Sequence, residues 1–219
     1  MNQIKAIETM YKGYRFRSRL EARWAVFFDT LGIEWKYEDQ GYEKEIFAGN
    51  GRTETIRYLP DFFLPNRYGT GVFVEVKGDK QALIKEQRKY TDLLDFGSVL
   101  PHFEDSGNTG SHEPTRGLLL LGDIPHAMQT KTFFHPIVQH HKGLVRNWAF
   151  FTPAGALVAR PNELSTLLNL DPDWNMSGDD WLIETRELTT PQYYPKTYDA
   201  YAAARSARFE HGERGVRIL

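Results

Sequence analysis

The sequence predicts an α/β protein: a mixed β-sheet core flanked by helices over residues 1–125, then a C-terminal α+β extension (hairpin plus helices) over 126–219. Three observations carry this reading. Leu20, Trp24, Phe27 and Leu31 recur at helical spacing and share one face. Val72, Val74 and Val76 alternate with Phe73, Glu75 and Lys77, which is the two-residue period of a strand. Gly117–Leu121 (GLLLL) is a continuous apolar run, as expected of a strand buried on both faces.

In chain order, residues 1–17 are a short basic, aromatic lead-in with Lys12, Tyr14, Arg15, Phe16 and Arg17. A helix follows from Arg19 to Leu31. Ser18 is its N-cap, Glu21 completes a capping-box pattern, and Gly32 ends it. Residues 33–47 alternate aromatic with charged side chains and predict a strand and a loop, with Trp35 and Tyr37 packing on the sheet. Gly49-Asn50-Gly51 turns the chain into a strand over Arg57–Leu64, and Asn66, Gly69 and Gly71 mark the turn into the Val72–Lys77 strand. Asp79–Phe96 places Ala82, Leu83, Gln87, Tyr90, Leu93 and Leu94 on one broad face, hence a helix. Residues 98–116 are polar and turn-rich, a length usual for functional or disordered loops. Gly117–Leu121 then forms a central strand parallel to its predecessor, reached through the helix.

In the second half, Trp148–Ala159 reads as a hairpin about Pro153-Ala154-Gly155, and Asn162–Leu170 and Asp179–Leu188 as short helices. Tyr198–Glu210 reads as a helix bearing Arg205 and Arg208, with Arg214 and Arg217 beyond. It either docks on the core or extends as a basic arm toward an anionic partner. His135, His140 and His141 have no metal-site spacing and no accompanying Cys or carboxylate, so they are packing or loop residues.

Composition excludes several classes. The formal net charge is −2, so any nucleic-acid affinity must come from local basic patches. There are no cysteines, which removes disulfides, thiol catalysis and zinc ribbons. No apolar run reaches membrane-spanning length, and the first residues lack a signal-peptide core. A cytoplasmic protein of a bacterium or phage-infected cell is expected. No Gly-rich phosphate loop or nucleophile elbow points to a small-molecule enzyme.

The chemistry gathers at the end of the Val72–Lys77 strand. Glu75 and Lys77 share a face there, and a hairpin pairing can bring Asp61, just after Pro60, beside Glu75. Two carboxylates and a lysine suit a hard divalent cation, since Mg²⁺ prefers one or two carboxylates plus waters and phosphate oxygens. Such an ion lowers the pKa of water and stabilises charge on a phosphate under attack. A nearby lysine can hold or deprotonate the attacking water. Taken alone, Glu-x-Lys also describes a solvated strand face. Glu21 alone equally describes a helix cap.

Pro60-Asp61, thirteen residues, then Glu75-Val76-Lys77 resembles the signature of the PD-(D/E)XK nuclease superfamily. Upstream, FRSRLEARWAVFFDTLGIEWKYE (Phe16–Glu38) resembles the first helix of the phage-type, Holliday-junction-resolving endonuclease I. The Arg17-Ser18-x-Leu20-Glu21 start, the Leu31-Gly32-Ile33 exit, the PDFFLP strand and the VEVKG strand all take part. The similarity covers roughly residues 13–90 and extends to very-short-patch repair endonucleases and transposon end-cleaving subunits.

The resemblance implies a restriction-endonuclease-like core and a Mg²⁺- or Mn²⁺-dependent endonuclease. Asp61, Glu75 and the Val76 carbonyl would hold the ion. Glu21 would be an outer or second-metal ligand, and Lys77 would orient or activate the water. It implies 5′-phosphate and 3′-hydroxyl products, a double-stranded or branched DNA substrate, and a homodimer. Arg15, Arg17, Arg19, Lys85, Gln87, Arg205 and Arg208 are the candidate DNA-binding residues. The alternatives are a repair- or restriction-type nickase and a non-catalytic DNA-binding or assembly protein on a nuclease-like core.

Overall fold

The computed structural model describes residues 7–48, 52–65, 71–79, 93, 99–100, 116–126, 131–133, 135–140, 144–151, 157–158, 187–189 and 195–209. The helix expected over Asp79–Phe96, with Lys85 and Gln87, lies almost wholly outside these residues. So do most of the 98–116 loop, the turns at 49–51 and 66–70, Asn162–Leu170, His141, Arg214 and Arg217.

The lead-in is a hairpin. Thr9–Tyr11 (β1) pairs antiparallel with Tyr14–Phe16 (β2). Lys12 and Gly13 between them have φ of 47° and 85°, the two positive values that a tight two-residue hairpin turn uses. The helix Arg19–Leu31 (α1) begins and ends where its caps predict. Ser18 is extended (φ −142°, ψ 157°), and its Oγ accepts the Glu21 N–H at 3.2 Å. Gly32 adopts φ 73°, and its N–H reaches the carbonyls of Phe28 and Asp29. A side chain is strained at that φ, so Gly32→Ala is expected to cost about 1 kcal/mol, a fall of about 2–4 °C in Tm by thermal melting.

The chain then departs from the expected long strands. Lys36–Tyr37 (β3) is a two-residue strand, and Tyr42–Ala48 (β4) pairs antiparallel with Arg52–Tyr58 (β5) as a separate hairpin. The strand read over Arg57–Leu64 is therefore two strands. It breaks at Leu59-Pro60-Asp61 and resumes as Phe62–Pro65 (β6). Pro60 has no N–H for a ladder, so the chain leaves the β4–β5 hairpin there and enters a different sheet.

Gly71–Val76 (β7) and Arg116–Leu121 (β8) follow, then Lys131–Phe133 (β9), His135–His140 (β10), Leu144–Phe151 (β11), Leu157–Val158 (β12) and Glu187–Thr189 (β13). The helix Pro195–Ser206 (α2) comes last among the described residues. Among the described residues the main sheet has seven strands in the order β12-β11-β10-β8-β7-β6-β3. Its neighbours are antiparallel except β7 and β8, which are parallel as the sequence predicts, with Glu75 beside Leu120. The mixed α/β class stands. The hairpin expected over Trp148–Ala159 is β11 with β12. Glu187 and Leu188, read as the end of a helix, instead pair with β9, whose ladder supplies hydrogen bonds that no local pattern reveals.

The boundary placed at residue 125 is not an edge of the sheet. β10 pairs with β8 and β11 with β10, so the second half continues the sheet of the first. An unpaired β8 edge would otherwise present open N–H and C=O groups. α2 lies against α1, with the Phe27 and Tyr201 rings 4.5 Å apart. Of the two readings of that helix, docking is the one observed. It starts three residues earlier than expected, at Pro195, a residue suited to a first helical position.

Both faces of β7 and β8 are covered. On one face, Trp24, Phe27, Phe28 and Leu31 of α1 and Tyr201 of α2 pack with Val74, Val76, Leu119 and Leu121. On the other, Phe73, Leu118 and Leu120 meet Tyr58, Leu93, Val99 and Leu100. His135 is a core residue, as expected. It is buried, it shares a 2.8 Å hydrogen bond with the Tyr201 hydroxyl, and burial pushes its pKa down to about 3, so it stays neutral. Among the described residues, no helix is long and apolar enough to cross a membrane.

Candidate active site

The β6–β7 register pairs Phe62 with Val74, and one step further along it sets Asp61 opposite Glu75. Asp61 lies in the bend made by Pro60 rather than on a strand. It is fixed on two sides: its Oδ2 accepts the Val76 N–H at 2.7 Å, and its carbonyl accepts the Glu38 N–H at 3.1 Å. The carboxylate thus rests against the peptide that follows Glu75.

Glu75 does not stand on a solvated face. It is 4% exposed, on the face of β7 where Phe73 packs with Tyr58, Leu93, Val99 and Leu100. Its Oε2 accepts the Tyr58 hydroxyl at 2.7 Å and its Oε1 pairs with Lys77 Nζ at 2.8 Å. The Lys77 side chain reaches the surface at 32% exposure, while its N–H donates to the Leu121 carbonyl at 2.8 Å and holds the strand end in place. A buried carboxylate is tolerated when it is paired and hydrogen-bonded, and Glu75 is both.

Glu21 approaches from the first turn of α1 and is also buried. Its Oε1 accepts the Ser18 hydroxyl at 2.7 Å, and its Oε2 accepts the Tyr37 hydroxyl at 2.6 Å and the Arg17 N–H at 3.1 Å. The cap role and the proximity to Asp61 hold together. Arg17, expected as a DNA contact, stays exposed while its guanidinium pairs with the site: Nη2 donates to Asp61 Oδ1 and Nε pairs with Glu38 Oε1 at 2.6 Å. Arg15 pairs with Glu8 on the surface. Among the described residues, the buried Nε of Arg19 has no hydrogen-bond partner. Arg205 bonds the chain after β8, and Arg208 is exposed.

Like charges crowd this corner. The Asp61 pKa is pushed up to about 7, chiefly by burial and then by the Glu75 charge, with Glu21 adding to it. The Val76 N–H and the Arg17 guanidinium pull the other way. The donor set is hard oxygen, which fits Mg²⁺ or Mn²⁺. Among the described residues, no three His, Asp or Glu side chains group as a metal cage. The fit is to a two-carboxylate site of the kind Mg²⁺ accepts.

Two residues of the site escaped the sequence reading. Tyr37 was assigned to sheet packing, and its ring does pack on Phe16 and Phe62, yet its hydroxyl also holds Glu21. Burial and then the Glu21 hydrogen bond raise its pKa, so it remains a donor. Tyr58 ends β5, three residues before Asp61, and reads there as part of an aromatic run. Removing its hydroxyl leaves one oxygen of a buried carboxylate short of a donor. Tyr58→Phe is expected to lower stability by about 1–3 kcal/mol, read as a fall in the urea midpoint. Comparisons with family models, curated proteins and solved structures found no match.

Proposed function

We propose that this chain is a metal-dependent endodeoxyribonuclease with a restriction-endonuclease-like core. One observation carries the reading: Asp61 and Glu75, both buried, meet at the ends of β6 and β7, with Lys77 paired to Glu75 at the surface. A solvated strand face would have left Glu75 in water. Asp61, Glu75 and the Val76 carbonyl would hold Mg²⁺ or Mn²⁺, with Glu21 as an outer ligand. When bound, the ion places positive charge on the scissile phosphate and acidifies water.

The chain's own groups do the rest. Tyr58 and the Val76 N–H aim the two carboxylates. Arg17 offsets negative charge at Asp61. Lys77, an ammonium paired with Glu75, orients the water, whose proton passes to solvent as its oxygen attacks phosphorus. The bond to the 3′-oxygen breaks and that oxygen takes a proton from water, leaving a 3′-hydroxyl and a 5′-phosphate. Cutting two strands in concert takes two sites, which a twofold homodimer supplies. Branched DNA is the favoured substrate, with nicked and linear duplexes as alternatives.

A second reading has its own observation. Arg17 and Lys77 already neutralise Asp61 and Glu75 within the chain, as a DNA-binding or assembly protein on a nuclease-like core would allow. One assay separates them. Purified protein is incubated with four-way junction, nicked, single-stranded and linear duplex DNA in Mg²⁺, Mn²⁺ or EDTA. Metal-dependent cutting of junctions supports the resolvase-like nuclease. Binding without cutting in any metal supports the second reading.

A further inference from the structure

A cavity of about 580 Å³ opens beside this site, between the first turns of α1, the chain after β8 and the last turn of α2. Leu20, Arg23, Asp123, His126, Phe133 and Arg205 line it. It adjoins the Lys77 end of the site. Leu20 precedes Glu21 on α1, and its Cδ2 lies 3.4 Å from where a Cβ on Gly78 would stand. The Trp24 indole N–H donates to the Gly122 carbonyl at 2.9 Å and ties the segment after β8 to α1.

The lining is basic and preorganised. Arg205 Nη1 donates to the Ile124 carbonyl at 2.8 Å. Its Nη2 meets His126 Nε2 at 2.7 Å. A guanidinium only donates, so His126 accepts there and carries its hydrogen on Nδ1. Arg23 also lines the cavity, and among the described residues its buried Nε has no hydrogen-bond partner. Two guanidinium groups against the single Asp123 carboxylate favour an anion, and the fork geometry of arginine matches phosphate oxygens.

We propose that the Arg23–Arg205–His126 cavity is a phosphate-binding subsite that takes a backbone phosphate of the DNA strand next to the one being cut. The inference rests on the nuclease reading for the identity of the strand, and on the cavity alone for the phosphate. It assigns Arg205 to substrate through the core rather than through a free basic arm. It adds Arg23, which carries no motif signal.

The test has two arms, using the full chain and its Arg23→Gln and Arg205→Lys variants, each checked for folding by circular dichroism. In the first, inorganic phosphate at constant ionic strength is the probe. It should raise the wild-type Tm by about 2–4 °C and leave Arg23→Gln unmoved. In the second, affinity for four-way junction and duplex DNA is measured in EDTA across a salt series. Loss of one phosphate contact should weaken binding and lower the slope of log K against log salt by about 1 in Arg23→Gln. Equal phosphate shifts in wild type and Arg23→Gln, or no shift in either, overturn the subsite. An unchanged salt slope in a DNA-binding wild type overturns the assignment to the DNA strand. A wild type that takes phosphate but neither binds nor cuts DNA keeps the cavity and removes the nuclease reading.

Discussion

Asp61→Ala, and separately Glu75→Ala, is expected to lower Mg²⁺-dependent DNA cleavage by at least about 10³-fold, while DNA affinity in EDTA stays within a few-fold of wild type. Spontaneous hydrolysis of a phosphodiester is slow enough that an enzyme of this type must supply on the order of 10¹⁵-fold acceleration, most of it by placing charge and water. Each carboxylate here is held by a donor from a different element: Val76 N–H for Asp61, the Tyr58 hydroxyl for Glu75. Alanine removes the oxygen pair without removing the surrounding basic groups. Gel-resolved cleavage beside fluorescence-anisotropy binding checks both halves. Full turnover in either variant would refute the site.

Asp61→Asn is expected to be more stable than the wild type above pH 7, the reverse of most buried substitutions. The folded-state pKa of Asp61 is about 7 against an ordinary value of 3.8, raised by burial and then by Glu75. The native state therefore holds this proton more tightly than the unfolded chain does. The stability contributed by the protonated group is full below about pH 4, falls as pH rises, and is gone once pH passes 7. Above that point the ionised, crowded carboxylate costs on the order of 2–4 kcal/mol relative to its exposure in the unfolded state. Asn keeps an acceptor for the Val76 N–H and carries no charge. Urea melts at pH 4 and 8.5 should show the variant's advantage only at the higher pH. Adding Mg²⁺ should raise the wild-type midpoint and leave that of Asp61→Asn in place. Coincident wild-type and variant midpoints at pH 8.5 would count against charge crowding at Asp61.

The parts of this site that local chemistry specifies were legible in the sequence. Ser18, Glu21 and Gly32 delimit α1 because capping depends on neighbours a few residues away. The alternation of β7 and the apolar run of β8 gave two adjacent parallel strands, and the β6–β7 register brought Asp61 opposite Glu75. What stayed hidden is set by distant chain. Glu75 is buried on a face that its own alternation leaves polar, where Phe73 packs with Tyr58, Leu93 and Leu100. Tyr37 and Tyr58 look like packing aromatics until the fold delivers a carboxylate to each hydroxyl. Arg17 reads as a basic surface residue, and only the bend at Pro60 brings Asp61 within its reach. The second half looked like an appendage because its hairpin is self-explanatory, whereas the pairing of β10 with β8 is visible only once both strands exist.

The placement of α2 over α1 has a consequence during synthesis. A ribosome makes α1 early and α2 among the last described segments, yet Tyr201 is the ring that closes over Phe27 and Trp24. Until that late helix emerges, the growing chain carries an oily stripe of indole and phenyl groups with no lid. Such a stripe invites holdase chaperones, or self-association when they are scarce.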